Sequence, residues 1–254
     1  MSSGRYRLSV IVITFNEERN ISACLQSVSW AGEIILVDSQ SNDQTVSIAR
    51  QYTDRIFIRE WAGYGSAKSF ALEQANNEWI LWVDADERVT QELAEEIQEI
   101  LMLQASEHSG YEVGRRAYFL GKWIKHCGWY PGYVVRLFRK KSAKFSASNV
   151  HEKVEVQGLI GTLRNDLLHF TDDNLFHYVW KLNRYTSLAV EDMIRSNRTV
   201  SLYDLIVRPP FIFMKMYVLR FGFLDGMHGL ALSLLSASYV FVKYAKTWEH
   251  QNAR

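Results

Sequence analysis

The sequence has 254 residues but only two cysteines, Cys24 and Cys127, and they do not stand at the spacing of metal ligands. A cysteine-held metal site is therefore excluded, and a reducing, cytosolic location is the simplest interpretation. The N-terminal residues 1–9 carry two arginines and lead directly into an apolar run, without the pattern of a cleavable signal peptide. A cytoplasmic protein is expected.

Long hydrophobic runs are also lacking. No uninterrupted apolar run reaches the roughly 18–20 residues that a membrane-spanning helix needs. The longest, residues 229–242, contains three serines and ends at Lys243. Internal repeats and low-complexity tracts are absent as well. With 48% hydrophobic and 22% charged residues, the chain is expected to form one large domain, or a domain with a small appendage.

The formal net charge is only +1, but the charge is unevenly distributed. Residues 1–108 hold 8 Lys/Arg against 17 Asp/Glu, whereas residues 109–146 hold 9 against 1 and residues 195–254 hold 8 against 3. An acidic front half suits a metal site, and basic later segments suit an anionic acceptor or an anionic lipid surface. Ordinary solvated faces are the alternative interpretation. No nucleic-acid partner is expected.

Apolar runs alternate with helical patterns through the first hundred residues. Strands are predicted at residues 8–14, 33–37, 55–59 and 79–83. Helices are predicted from about residue 20 to 30, for about ten residues after Thr45, from a flexible loop at 63–68 to about residue 75, and from 91 to 104. This alternation predicts an α/β fold with a mostly parallel sheet, in which ligands bind at the carboxyl ends of the strands.

Three acidic residues follow the fourth predicted strand directly. The run 79–83 is apolar, and Asp84-Ala85-Asp86-Glu87 comes next. Because carboxylates are costly to bury without partners, Asp84 and Asp86 are expected just past the strand, turned toward one point. Two converging carboxylates suit Mg²⁺ or Mn²⁺ that also holds substrate phosphates. An acidic, helix-capping turn is the alternative.

The pattern changes after residue 108. Shorter, more polar strands are predicted at 111–118, 133–139 and 144–146, and from Asn174 onward the pattern is helical and rich in aromatic residues, with a break at Pro209-Pro210. The predicted organisation has three parts. They are a nucleotide-binding half at 1–108, an acceptor-binding half of the same domain at 109–173, and a helical C-terminal extension at 174–254.

Three motifs together resemble the inverting family 2 glycosyltransferases of GT-A fold. They are Thr14-Phe15-Asn16-Glu17, the stretch Asp38-Ser39-x-Ser41-x-Asp43-x-Thr45, and Asp84-Ala85-Asp86, in the order in which the family has them. The resemblance implies a Rossmann-like nucleotide-diphospho-sugar fold. It also implies a UDP-sugar site, with Asp38 near the uracil, Thr14, Asn16, Glu17 and Ser41 around the nucleoside, and Asp84 and Asp86 on the metal and diphosphate.

Transfer of a glycosyl group needs a carboxylate base that removes the proton of the acceptor hydroxyl. Because residues 1–108 supply the nucleotide half, the base is expected in the second half. Glu152, beside His151 in a polar turn, is the best candidate, with Asp172 and Asp173 in reserve. A salt-bridged surface acid is the alternative for Glu152.

Four further residues are candidates. GT-A enzymes often place a histidine ligand where His169 stands, although a histidine beside apolar residues is more often structural. Lys68 could pair with phosphate or simply begin a solvated helix. Arg136 and Arg139 are expected on one face of a strand, where they and His151 would bind an anionic acceptor.

The whole chain is similar to the lipopolysaccharide core β-1,4-glucosyltransferase group, on Trp129-Tyr130-Pro131-Gly132, Val150-His151-Glu152 and Gly222-Phe223-Leu224-Asp225-Gly226. That resemblance implies UDP-glucose as donor and an inner-core heptose of lipid A–core as acceptor.

The apolar, aromatic and cationic segment 211–221 is expected to lie on the cytoplasmic face of the inner membrane, as in a peripheral protein. Packing on the domain or in a dimer is the alternative for this segment. A polyprenyl-phosphate sugar synthase and a non-catalytic nucleotide-binding scaffold remain the alternatives for the protein as a whole.

Overall fold

A computed structural model describes residues 6–102, 107–145, 154–172 and 174–252. The chain divides into two compact units. The first comprises Met1–Arg115 with Tyr133–His169, and the second comprises Arg116–Gly132 with Phe170–Arg254. The predicted division at residues 108 and 173 stays a prediction, and each unit is described by itself below.

Short strands dominate the first unit, and long helices dominate the second. The described strands are β1 (Tyr6–Thr14), β2 (Ala31–Asp38), β3 (Ile56–Ile58), β4 (Trp79–Asp84), β5 (Glu87–Val89), β6 (His108–Val113), β7 (Arg115–Phe119), β8 (Lys122–Trp123), β9 (Val134–Arg139), β10 (Ala143–Phe145), β11 (Val154–Val156), β12 (Leu159–Thr162) and β13 (Leu167–Asp172). The described helices are α1 (Ile21–Ser27), α2 (Thr45–Ala49), α3 (Tyr64–Gln74), α4 (Gln91–Met102), α5 (Leu175–Arg195), α6 (Leu202–Ile206), α7 (Arg208–Met214) and α8 (Gly226–Asn252).

A seven-stranded sheet forms the centre of the first unit, in the order β12-β6-β9-β4-β1-β2-β3. The strands β4, β1, β2 and β3 are parallel, as predicted, whereas β9 is antiparallel to both β4 and β6. Thr14 of β1 lies opposite Asp38 of β2, and Ile13 lies opposite Asp84 of β4. The register therefore brings the ends of three predicted motifs to one edge of the sheet.

Strand β1 shows how the sequence builds both faces of this sheet. Leu8, Val10 and Val12 belong to the core on one face, Ile11 and Ile13 belong to the core on the other, and none is more than 9% exposed. Successive side chains alternate across a strand, and a sheet covered on both faces therefore needs an apolar run throughout. Helices α1 and α4 contribute to the first face and α3 to the second.

Two predicted boundaries are wrong. The expected loop at 63–68 is helical from Tyr64, because Gly63 adopts a φ of 96° and its carbonyl accepts a hydrogen bond from the Ala67 amide. Helix α2 has five residues instead of about ten, because the chain turns toward β3 at Thr53, whose hydroxyl donates to the Ile34 carbonyl at 2.7 Å.

The expected strand at 111–118 is two strands. They are divided at Gly114, where a Cβ atom would collide with the buried Asp166 carboxylate.

Helices α5 to α8 make up most of the second unit. Asn174 caps α5 by accepting a hydrogen bond from the His177 amide at 2.8 Å. The sequence predicts a helix break at Pro209-Pro210, whereas the structure has the break at Val207, between α6 and α7. The two prolines lie in the first turn of α7, where proline is tolerated. In the described part of the chain no single helix is long and apolar enough to cross a membrane. One pair of consecutive helical segments, Leu202–Leu219 and Gly222–Asn252, has the length and composition of a membrane span when the two are taken together, but the pair is bent by 72°.

Candidate active site

Two loops at the edge of the sheet are held together by hydrogen bonds from backbone amides to side-chain oxygens. The Asn16 amide donates to the Ser41 hydroxyl at 2.8 Å, and the Glu17 amide donates to the Thr45 hydroxyl at 2.8 Å. In return, the Asn16 side chain accepts from the Asn42 amide at 3.0 Å. The two motifs that follow β1 and β2 therefore form one structure, as the parallel register requires.

Asp38 ends β2 and is fully buried beneath these loops. Its carboxylate accepts the Ser41 amide at 2.8 Å and the Ser41 hydroxyl at 2.5 Å. These bonds fix the orientation of the carboxylate and satisfy part of its need for hydrogen bonds. Contact of Asp38 with a nucleobase stays a prediction.

Asp84, the first acid after β4, is held by two cations and an indole. The Arg136 guanidinium lies 2.7 Å from one carboxylate oxygen, and the other oxygen accepts from the Trp82 indole at 3.0 Å and lies 3.8 Å from the Lys68 ammonium. Both cations are 3% exposed, whereas the Asp84 side chain is 30% exposed. Asp84 thus lies over two buried positive charges.

Sequence reasoning missed Glu87, which is completely buried. It lies 2.6 Å from the Arg136 guanidinium and 3.9 Å from that of Arg115, and it accepts the Asp84 amide at 3.0 Å. The signal in the sequence was a third acid within four residues of a buried strand. Its partners are distant in sequence, so the motif alone did not reveal them.

Asp86 takes a different partner from Asp84. Strand β13 pairs with β5 and places His169 opposite Glu87, where the His169 Nε2 atom lies 3.4 Å from a carboxylate oxygen of Asp86. Asp84 and Asp86 thus have different partners in this structure, and their predicted convergence on one metal ion stays a prediction. Positive side chains already occupy the Asp84 carboxylate.

The pKa shifts follow these contacts. Burial alone would raise the pKa of Asp84, but Arg136 and Lys68 outweigh it and hold the pKa well below its usual range. Burial raises the pKa of Glu87 even though Arg136 opposes it. Burial alone would lower the pKa of His169, and the Asp86 carboxylate outweighs it, so that the pKa is raised. The site therefore combines an ionised Asp84 with two groups that hold protons more tightly than usual.

The donor atoms of Asp86 and His169 fit a divalent metal. A carboxylate oxygen and an imidazole nitrogen are ligands that Mn²⁺ accepts, and a metal that binds diphosphate needs only one or two protein ligands. Among the described residues no group of three or more His, Cys, Asp or Glu side chains is arranged to hold a metal. The pair of Asp86 and His169 is therefore the part of the predicted metal set whose donor atoms lie side by side in this structure, and metal binding stays a prediction.

Polar atoms without partners also mark this region. In the described part of the first unit, the buried side-chain atoms without a hydrogen-bond partner are the Thr14 hydroxyl, the Arg115 Nε atom, and the Nε and Nη1 atoms of Arg136. Buried polar groups are nearly always satisfied, so such atoms need an explanation. Unpartnered arginine N–H donors of this kind suit a ligand with several acceptor oxygens.

Arg136 and Arg139 do not share one face of β9, which corrects the prediction. The Arg136 guanidinium packs 3.9 Å from the centre of the Trp82 ring, whereas Arg139 packs 4.6 Å from that of Trp79 and pairs with Glu78. The two tryptophans belong to the cores on opposite faces of the sheet. Residues separated by three positions in a strand point to opposite sides.

Only one of the candidates for the catalytic base lies among the residues that the structure describes. His151, Glu152 and Asp173 lie outside the described residues. Asp172 belongs to the second unit, where it is buried, 3.6 Å from the Lys181 ammonium and 3.7 Å from His177 Nδ1. Burial raises the pKa of Asp172 despite these neighbours.

Comparison with known proteins agrees with this geometry. The chain is 32% identical over 254 residues to the lipopolysaccharide core biosynthesis glycosyltransferase LpsC of Rhizobium meliloti (strain 1021), covering 95% of this chain and 92% of LpsC. It is 31% identical over 260 residues to an uncharacterized glycosyltransferase of Rickettsia felis (strain ATCC VR-1525 / URRWXCal2), covering 96% and 90%.

Similarity to a solved structure concerns the fold. The mannosyltransferase PcManGT from Pyrobaculum calidifontis, in complex with GDP-Man and Mn²⁺, superposes with a TM-score of 0.54 at 15% identity, covering 98% of this chain and 88% of that one. The GT-A fold is thereby confirmed. The family model for glycosyl transferase family 2 matches residues 9–149, more than half of the sequence. The chain is therefore a member of glycosyl transferase family 2.

Proposed function

We propose that this chain is an inverting, metal-dependent transferase that moves glucose from UDP-glucose onto a heptose of the lipopolysaccharide inner core. The observation that carries the proposal is the edge of the sheet where the tied loops after β1 and β2, the Asp86–His169 pair and two buried cations lie at the strand ends. The similarity to LpsC supports the choice of acceptor.

Each group of residues at this edge of the sheet has one role in binding the sugar donor. Asp38 and Thr14 face the nucleoside, and Asp86 and His169 hold Mg²⁺ or Mn²⁺. When bound there, the ion neutralises the diphosphate that leaves with the nucleoside. Lys68 and Arg136 add two positive charges close to the same strand end. A cationic, poorly hydrated site stabilises a developing negative charge more strongly than water does.

The acceptor half supplies the base, and we assign that role to Glu152. Inversion places the attacking hydroxyl on the face of the sugar opposite the diphosphate, so the base lies on the acceptor side. Loss of a general base costs about 10²–10⁴ in rate. Glu152→Gln should therefore lower kcat by that factor with little change in donor affinity. If Glu152→Gln retained more than about a tenth of the wild-type kcat, Glu152 would not be the general base.

A direct assay tests the proposed reaction. Labelled UDP-glucose and Mn²⁺ are added to lipid A–core from cells that lack the protein, and the product is analysed by mass spectrometry. The proposal expects one added hexose on an inner-core heptose. Transfer to polyprenyl phosphate instead, or no transfer with any nucleotide sugar, would contradict it.

The elbow of the second unit, residues 202–227, is the part that we propose to contact the membrane. Its exposed apolar side chains are Leu202, Tyr203, Ile206, Val207, Phe211, Met214, Val218, Leu219, Phe221, Phe223, Leu224 and Met227. Both acids of the elbow, Asp204 and Asp225, are buried, whereas Lys215 and Arg220 are exposed. An apolar surface with exposed cations and buried acids complements an anionic lipid surface.

Vesicle flotation tests this location on the cytoplasmic face of the inner membrane. Each cation near an anionic surface contributes about 1 kcal/mol, so Lys215→Glu with Arg220→Glu, which loses two cations, should lower binding to anionic vesicles by about 30-fold or more. Lys141→Glu with Lys144→Glu, at exposed positions of the first unit, is the matched control. Equal binding of both variants, or no preference for anionic over neutral vesicles, would contradict the assignment.

A further inference from the structure

Two buried cations lie against the same indole ring in the first unit. The Lys68 ammonium is 3.8 Å and the Arg136 guanidinium carbon 3.9 Å from the centre of the Trp82 ring. Their side chains are 3% exposed. Burial of two positive charges requires negative partners, because each loses its hydration.

Glu87 and Asp84 provide the negative charge in different ways. Glu87 is completely buried and lies 2.6 Å from Arg136. Asp84 touches both cations but is 30% exposed, so it separates them from solvent. If Asp84 moved away, Arg136 would keep Glu87 as a partner, and both cations would become accessible from the side that Asp84 now covers.

Arg136 has unused hydrogen-bonding capacity at this position. Its Nε and Nη1 atoms have no partner among the described residues, although the side chain is almost entirely buried. An aspartate offers two oxygens, whereas a diphosphate offers several oxygens with more charge. Arginine binds phosphate oxygens in pairs through adjacent N–H groups.

We propose that Asp84 is an internal counter-ion which the diphosphate of the donor replaces on Lys68 and Arg136, and that it is not a metal ligand. This inference rests on the proposed function, because it assigns a task within the same nucleotide-sugar site. No bond is made or broken in the exchange. A carboxylate leaves two cations, and phosphate oxygens take its place.

The counter-ion role and the metal-ligand role predict opposite effects of Asp84→Asn. A competing carboxylate weakens anion binding, so its neutralisation should tighten the binding of inorganic pyrophosphate without metal by about tenfold, the effect of one charge-assisted hydrogen bond. If Asp84 were instead a metal ligand, its loss would remove the gain in UDP affinity that Mn²⁺ provides.

Titration calorimetry with pyrophosphate and UDP, in chelator and in Mn²⁺, separates these cases. Asp86→Asn is the matched control, being the same change two residues away. Asp84→Asn should bind pyrophosphate more tightly in chelator and keep the Mn²⁺ gain for UDP, whereas Asp86→Asn should lose that gain. An Asp84→Asn variant that shows no tightening, or that loses the Mn²⁺ gain, overturns the inference.

The wild-type protein distinguishes failure of the inference from failure of the proposed function. If it does not bind UDP even with Mn²⁺, the proposed function itself is wrong. Lys68→Met provides a second test should Asp84→Asn not fold, which circular dichroism would reveal. The inference expects weaker pyrophosphate binding in chelator for Lys68→Met, and unchanged binding overturns it.

Discussion

Replacement of Arg136 by methionine should destabilise the first unit strongly. The arginine lies between Glu87, which is completely buried, and Asp84, and it packs on Trp82. Removal of one partner of a buried ion pair costs about 3–5 kcal/mol. Lost contact between the guanidinium and the indole adds about 0.5–2 kcal/mol.

The remaining cations reduce that cost in part. Asp84 keeps Lys68 at 3.8 Å and is partly solvated, and Glu87 keeps Arg115 at 3.9 Å. We therefore expect the free energy of unfolding to fall by about 3–4 kcal/mol, near the low end of the combined range. This is a large part of the stability of an ordinary domain, which is about 5–15 kcal/mol.

Urea unfolding followed by circular dichroism measures this loss, and the same strand offers a control. Arg139 pairs with Glu78, which is 61% exposed, so Arg139→Met should cost about 0–1 kcal/mol for the ion pair. Glu87→Gln added to Arg136→Met should restore part of the stability, because a neutral amide needs no cation. A loss below about 1 kcal/mol for Arg136→Met, no larger than for Arg139→Met, would refute the reasoning.

The pH dependence gives a second readout for the same variant. Burial raises the pKa of Glu87, and Arg136 opposes that rise, so the pKa should rise further in Arg136→Met. A carboxyl group whose pKa is higher in the folded than in the unfolded state lowers the stability when it is ionised, and this loss is relieved as pH falls through the folded pKa toward the unfolded pKa of about 4.3. The stability deficit of Arg136→Met should therefore shrink between about pH 8 and pH 5. An equal deficit at both values would contradict this.

Two further predictions concern structure away from the site. Glu33 accepts hydrogen bonds from Ser9 and Asn76 that outweigh its burial and lower its pKa, so its stabilisation is present above the unfolded pKa and is lost as pH falls through the folded pKa. Glu33→Gln should cost about 1–3 kcal/mol by urea unfolding at neutral pH, and a deficit that does not shrink as the pH is lowered from neutral to about 2 would contradict the cause. Gly229→Ala should destabilise the second unit by about 1–3 kcal/mol, because the new methyl group would collide with the Gly222 carbonyl. Exposed Ser238→Ala on the same helix is its control, and equal thermal midpoints for the two variants would contradict the clash.

The sequence was informative wherever apolar runs end in polar turns. Strands β1, β2 and β4 are continuous apolar runs, and parallel register then requires that Thr14, Asp38 and Asp84 lie near one edge. The hydrogen bonds between the loops after β1 and β2 are a consequence of that register. Strand β5 has only three residues, too few for periodicity to identify, and its pairing with β13 is what brings His169 to Asp86.

The partner of Asp84 could not be read from the sequence for a different reason. Arg136 lies 52 residues away, on a strand whose antiparallel position beside β4 depends on the whole sheet. The placement of Arg136 and Arg139 on opposite faces was predictable, because strand side chains alternate and an odd separation divides the faces.

Hydrogen–deuterium exchange with UDP-glucose and Mn²⁺ tests most directly whether the edge of the sheet is the donor site. Amide exchange is measured for the free protein, with UDP-glucose in chelator, and with UDP-glucose and Mn²⁺. We expect slower exchange at residues 14–17, 38–45 and 84–87, and the strongest protection when the metal is present. Unchanged exchange in these three segments, or protection confined to the second unit, would contradict it.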